Sequence, residues 1–142
     1  MSRRAVAAAA LFVSLGAASP VSTLQIGIDE ARSAKGFFKL CLTADPDNFP
    51  RCHDDALAVR RSVPATTRVI RYDALPVGAY AAAVIHDENG NRKLDTLAGI
   101  PREGYGFSRN APVKFGPPKF EAARFALAGD ANAQQIRMRY IF

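Results

Sequence analysis

At 142 residues and a formal charge of +6, the chain is long enough for one domain and too short for two well-formed cores. Without Arg3 and Arg4, which belong to an N-terminal export pattern, 17 basic and 13 acidic residues leave a charge of +4. The remaining basic residues form no dense run, Arg60 and Arg61 being only a pair, so a solvated basic face is expected rather than a nucleic-acid surface.

Residues 5–15 are almost wholly apolar, and the small residues Gly16, Ala17, Ala18 and Ser19 follow. Basic, then apolar, then small is the order of a secretory signal peptide, assigned to residues 1–18 with a mature start near Ser19. The apolar run falls short of the ~20 residues that span a bilayer, so no transmembrane segment is expected after processing. The expected address is the periplasm or the extracellular space. The mature chain, residues 19–142, is expected to be a single domain and a monomer.

Residues 23–29, TLQIGID, alternate Leu24, Ile26 and Ile28 with Gln25 and Gly27, which predicts a strand. Residues 36–43, GFFKLCLT, predict a second, with Phe38, Leu40 and Leu42 on one face and Phe37, Lys39 and Cys41 on the other. Pairing of these two strands is expected. Cys41 and Cys52 flank the turn-rich DPDNFP, and an exported chain meets an oxidising compartment, so they predict a disulfide. Neither a CxxC redox pair nor a compact zinc pattern involving His53 and His86 is present.

Residues 56–63 fit a strand through Leu57 and Val59, or a helix capped by Asp54 or Asp55; strand is preferred, and Pro64 ends either. Residues 66–72 are rich in β-branched side chains and predict a strand; 73–78, DALPVG, reads as a turn or short crossing. Tyr80, Ala82, Val84 and His86 then share one face and Ala81, Ala83 and Ile85 the other. Two apolar faces predict an interior strand. Residues 96–118 show no sustained periodicity, yet Leu97, Ile100, Tyr105, Phe107, Val113 and Phe115 give them hydrophobic anchors. One long ordered loop folding back on the β layer is expected. A helical turn, a short strand with Phe125 and Leu127, and a closing strand follow. In that last strand Ile136, Met138, Tyr140 and Phe142 face one way. Six or seven short strands and little helix predict an all-β fold, a two-layer antiparallel sandwich.

The chemistry concentrates in 87–95, DENGNRKLD. Asp87, Asn89, Asn91 and Asp95 stand at positions one, three, five and nine of a calcium-loop pattern, and the carbonyl of Lys93 at position seven. Arg92 stands where such loops use glycine, Ala98 holds position twelve in place of a bidentate glutamate, and a strand rather than a helix precedes the loop. Glu88 or Glu103 would complete the shell if the following segment folds back. The competing reading is a turn: AsnGly is a strong turn dipeptide, and Asp and Asn side chains bond nearby amides without any ion. Calcium is therefore the one cofactor the sequence raises. Acid–base chemistry by His86, Asp87 and Glu103, with Ser108 as nucleophile, is a distant third reading. No GxSxG elbow, HExxH pair or phosphate loop supports it.

LPVGAYAAAVIHDENGNRKLD, GIPREGYGFSRNA and FGPPKFEAARFAL together resemble the family of small exported bacterial proteins called domain of unknown function 2141. The resemblance runs from about Leu24 onward. It implies a cell-envelope location and a β sandwich, and draws attention to Glu103, Tyr105, Phe107 and Asn110, beside His86, as a candidate ligand surface. Tyr105 and Phe107 would either stack on a sugar or peptide or pin the long loop to the core. LPxGxY before a strand is also similar to transthyretin-like and collagen-adhesin B-type sandwich modules. The implied role is a non-catalytic module that binds an envelope protein or polysaccharide, or else a structural accessory domain; a hydrolase is the remaining alternative.

Overall fold

The computed structural model describes residues 9–14, 16 and 18–142. Much of the expected signal peptide, residues 1–8, 15 and 17, lies outside them. Among the described residues no helix is long and apolar enough to cross a membrane.

Among the described residues ten strands and one short α-helix follow in order: β1 (Val21–Asp29), β2 (Phe37–Thr43), β3 (Val59–Pro64), β4 (Val69–Pro76), β5 (Gly78–Asp87), β6 (Thr96–Leu97), β7 (Ile100–Pro101), β8 (Gly104–Phe107), α1 (Phe120–Ala123), β9 (Phe125–Leu127) and β10 (Asn132–Arg137). A 3-10 turn, Ser108–Asn110, follows β8. One sheet has the order β10-β1-β4, the other β3-β2-β5-β8, with β9 pairing the start of β5. The all-β sandwich is thus observed. One pair departs from antiparallel order, since β10 runs parallel to β1.

The core between the sheets comes from the alternating positions of the sequence. Leu24, Ile26 and Ile28 meet Phe38, Leu40 and Leu42, with Ile70, Tyr72, Val84, Leu127 and Ile136 around them. Each such fully buried large side chain contributes about 1.5–3 kcal/mol of burial free energy. Because their apolar faces oppose one another, β1 and β2 belong to different sheets. This corrects the expectation that they pair: β1 pairs with β4 and β10, and β2 with β3 and β5.

β5 is the central strand, as its two apolar faces require. Its outer face is covered by a second cluster of Cys41, Phe49, Cys52, Ala81, Ala83, Phe107, Phe120 and Ala123. The Cys41–Cys52 disulfide, with a Cα–Cα distance of 5.8 Å, ties the 44–51 loop into this layer. Residues 56–63 resolve as strand from Val59 onward.

Three local expectations are corrected. Residues 73–76 continue β4 rather than turning, through a register shift at Ser22–Leu24 and a left-handed Ala74 (φ 55). The 96–118 segment is not one long loop: it holds the β6–β7 hairpin and β8, which pairs Ala83–His86. Finally, Phe142 is 55% exposed and does not continue the inward face of Ile136 and Met138.

Candidate functional site

β5 ends in His86 and Asp87, and the chain leaves the sheet there. It returns through the β6–β7 hairpin to β8, whose first pair is His86 with Gly104. One step further along the same antiparallel register, Glu103 stands opposite Asp87. On the other side, Asp87 pairs with Phe37 of β2. Asp87 and Glu103 are thus placed by sheet pairing, although fifteen residues lie between them in sequence.

Asp87 is 1% exposed. Its Oδ1 accepts the amide of Asn91 at 3.2 Å and its Oδ2 that of Arg92 at 2.8 Å. Lys39, projecting from the outer face of β2, lies 3.4 Å from Oδ2. The sequence reading missed Lys39; its position in the β2 alternation, on the same face as Cys41, was the available signal. The remaining loop side chains bond one another. Asn89 Oδ1 accepts the amide of Asn91 at 3.1 Å, and Asn91 Oδ1 that of Lys93 at 2.9 Å. The Nδ2 groups of Asn89 and Asn91 both donate to the Asp95 carboxylate, at 2.7 Å and at 2.9 and 3.0 Å. These bonds, Asn91 first, hold the Asp95 carboxyl below its usual range. Arg92 adopts φ 64, so the loop makes the sharp turn without glycine at its sixth position.

Glu103 is the unusual member. It is 5% exposed, its Oε2 accepts the amide of Asp95 at 3.3 Å, and its Oε1 is buried with no hydrogen-bond partner. Burial, reinforced by the nearby charges of Asp87 and Asp95, pushes its carboxyl up to about 7 against the lowering effect of the Asp95 amide. As placed, no three His, Cys, Asp or Glu side chains among the described residues converge closely enough to enclose an ion.

The other candidate residues serve as braces. His86 is fully buried; its Nε2 donates to the Lys35 carbonyl at 2.8 Å, leaving Nδ1 to accept the Tyr140 hydroxyl at 2.8 Å. Tyr140 also carries the Arg32 guanidinium over its ring at 4.5 Å, and Arg32 pairs with Glu88. Glu88 is therefore engaged away from the loop, and only Glu103 of the two candidate closing groups faces it. Ser108, also fully buried, accepts the Ala82 amide at 2.9 Å and donates to the Ala123 carbonyl at 2.5 Å. Phe107 is buried in the outer cluster, with Tyr105 packed against it, ring centroids 6.1 Å apart. Asn110 accepts the Arg137 amide at 2.9 Å and donates to the Gln135 carbonyl, fastening β10. A separate groove of about 400 Å³ runs between Phe49, Pro50, Pro117, Pro118 and Phe120.

Comparison with curated proteins and with solved structures gave no match. The family described as "uncharacterized protein conserved in bacteria (DUF2141)" matches residues 26–135, from within β1 to within β10. That span covers more than half of the chain and contains both sheets and the acidic loop, and the protein belongs to this family.

Proposed function

We propose that the protein is an exported, non-catalytic β-sandwich module of the cell envelope. The observation that carries this reading is the use made of His86 and Ser108. Both are fully buried, and their hydrogen-bonding groups are spent on bracing the fold: Lys35 and Tyr140 for the one, Ala82 and Ala123 for the other. A general base and a nucleophile need access to substrate, and these have none. Export rests on the N-terminal pattern and agrees with a disulfide on the outer layer.

Within this reading the module binds an envelope protein or polysaccharide, and the open groove beside Phe49 and Phe120 is the surface to test for it. The burial of Phe107 favours the alternative, a purely structural accessory domain. The test is to fractionate cells while trapping free thiols. Export predicts a product beginning near Ser19 in the periplasm or medium, with thiols that alkylate only after reduction. Full-length protein in the cytosol with both thiols alkylated would overturn it. Retention of the mature protein on isolated envelope polymer, lost on substituting groove residues, separates binding from scaffolding.

A further inference from the structure

We propose that Glu103 closes a calcium site whose other donors are the side chains of Asp87, Asn89, Asn91 and Asp95 and the carbonyl of Lys93. This goes beyond the envelope-module reading, and its failure would leave that reading untouched.

The loop already has the backbone a calcium loop needs. The first-position carboxylate of Asp87 gathers the amides of the fifth and sixth residues, and the sixth residue is left-handed. Those features alone equally describe a self-bonded turn. What distinguishes the two is Glu103. A carboxylate oxygen that is buried, lacks any donor and faces a loop holding two more carboxylates is an expensive arrangement for a turn. It is the arrangement expected where a cation supplies the missing partner. The pattern's closing glutamate belongs at position twelve, where this chain has Ala98. The β5–β8 register delivers one from position seventeen, opposite Asp87.

The donor chemistry selects the ion. Six oxygens and no nitrogen or sulfur specify a hard cation. A ring built from mobile Asn and Asp side chains tolerates the irregular shell of calcium better than the strict octahedron of magnesium. Binding requires the Asn89 and Asn91 amides to give up their bonds to Asp95 and turn their carbonyl oxygens inward. That rearrangement, and only three carboxylates, place the affinity on the order of 10⁻⁴–10⁻³ M, the range of extracellular modules.

The test is calorimetric titration of the mature, oxidised protein with calcium chloride to about 10 mM, with magnesium chloride at matched ionic strength as comparison. Glu103→Gln and the double variant Asp87→Asn/Asp95→Asn are run beside it. The proposal expects saturable calcium binding with a raised melting temperature, weakened roughly ten-fold or more in Glu103→Gln and lost in the double variant. No saturable heat would overturn it, as would Glu103→Gln binding calcium as tightly as the parent. Should Glu103→Gln fail to fold, calcium displacement of terbium luminescence in the parent and in Glu103→Asp gives the same decision. Unaltered displacement in Glu103→Asp contradicts a ligand role, because the shorter side chain withdraws the carboxylate.

Discussion

Asp87 and Glu103 face each other across β5 and β8, one position beyond the His86–Gly104 pair that ends the ladder. Both are almost completely buried, yet their surroundings differ. Asp87 accepts two amides and lies beside Lys39, whereas Glu103 has one amide and an unpaired oxygen. The Glu103 carboxyl, pushed up to about 7 by burial, thus stands at the base of the loop without the pairing that Asp87 has.

Arg92 sits at φ 64, a conformation that costs a side-chain-bearing residue roughly 1–2 kcal/mol. Arg92→Gly relieves that cost and adds some unfolded-state entropy. The expected outcome is a net gain of about 0.5–1 kcal/mol, read as a higher denaturant midpoint at unchanged slope. Removing the cation should also tighten calcium binding in the same protein.

Gly36, at φ 70, lies against the main chain of Asp87 and Glu88, where a Cβ would collide with the Asp87 carbonyl. Gly36→Ala must displace either β2 or the end of β5. A loss of about 2 kcal/mol or more is expected in chemical denaturation. Calcium response should weaken with it, because Asp87 opens the loop.

Tyr72 is 1% exposed, and its hydroxyl has no hydrogen-bond partner. Burial pushes its phenol up to about 12, opposed by Arg61, whose guanidinium lies 4.2 Å from the ring centroid. Tyr72→Phe removes an unsatisfied polar group and is expected to stabilise the fold by about 1 kcal/mol at neutral pH. The folded-state value lies above the unfolded one, near 10, so this phenol's contribution is complete below pH 10 and lost as the pH rises through 12. The advantage of Tyr72→Phe in denaturant midpoint should therefore widen between pH 9 and 11, as followed by fluorescence or circular dichroism.

The Cys41–Cys52 bridge closes a short loop carrying Phe49 into the outer cluster. Reduction, or replacement of both cysteines by alanine, is expected to cost roughly 3 kcal/mol on the chain-entropy estimate. Comparing denaturant midpoints with and without reductant measures it.

Much of the sandwich was legible because β1 and β2 place Leu24, Ile26, Ile28 and Phe38, Leu40, Leu42 at alternate positions, and because β5, apolar on both faces, reads as an interior strand. β8 was not legible for the same reason in reverse. Its inward positions are Gly104 and Gly106, which receive the Tyr140 ring and the Ile136 and Met138 side chains from the C-terminal segment. With glycine at those inward positions, β8 offers only Tyr105 and Phe107 on its outer face, too short a pattern to set a strand apart from a loop. The mistaken pairing of β1 with β2 has a related cause: alternation tells which residues face a core, not which of two opposing layers carries them. At the site, the spacing of Asp87, Asn89, Asn91 and Asp95 was visible in sequence, and Glu103 was visible only as a residue that a returning chain would bring back. Which strand returned, and in what register, was a tertiary fact. Lys39 beside Asp87 and Tyr140 beside His86 were hidden likewise.

The most direct measurement is the crystal structure of the mature protein grown with calcium. The account predicts one strong ion peak in the Asp87–Asp95 loop, with oxygens of Asp87, Asp95 and Glu103 each about 2.3–2.6 Å from it. A calcium-saturated crystal with no peak there, or an ion held by the loop with the Glu103 oxygens beyond bonding distance, would contradict it.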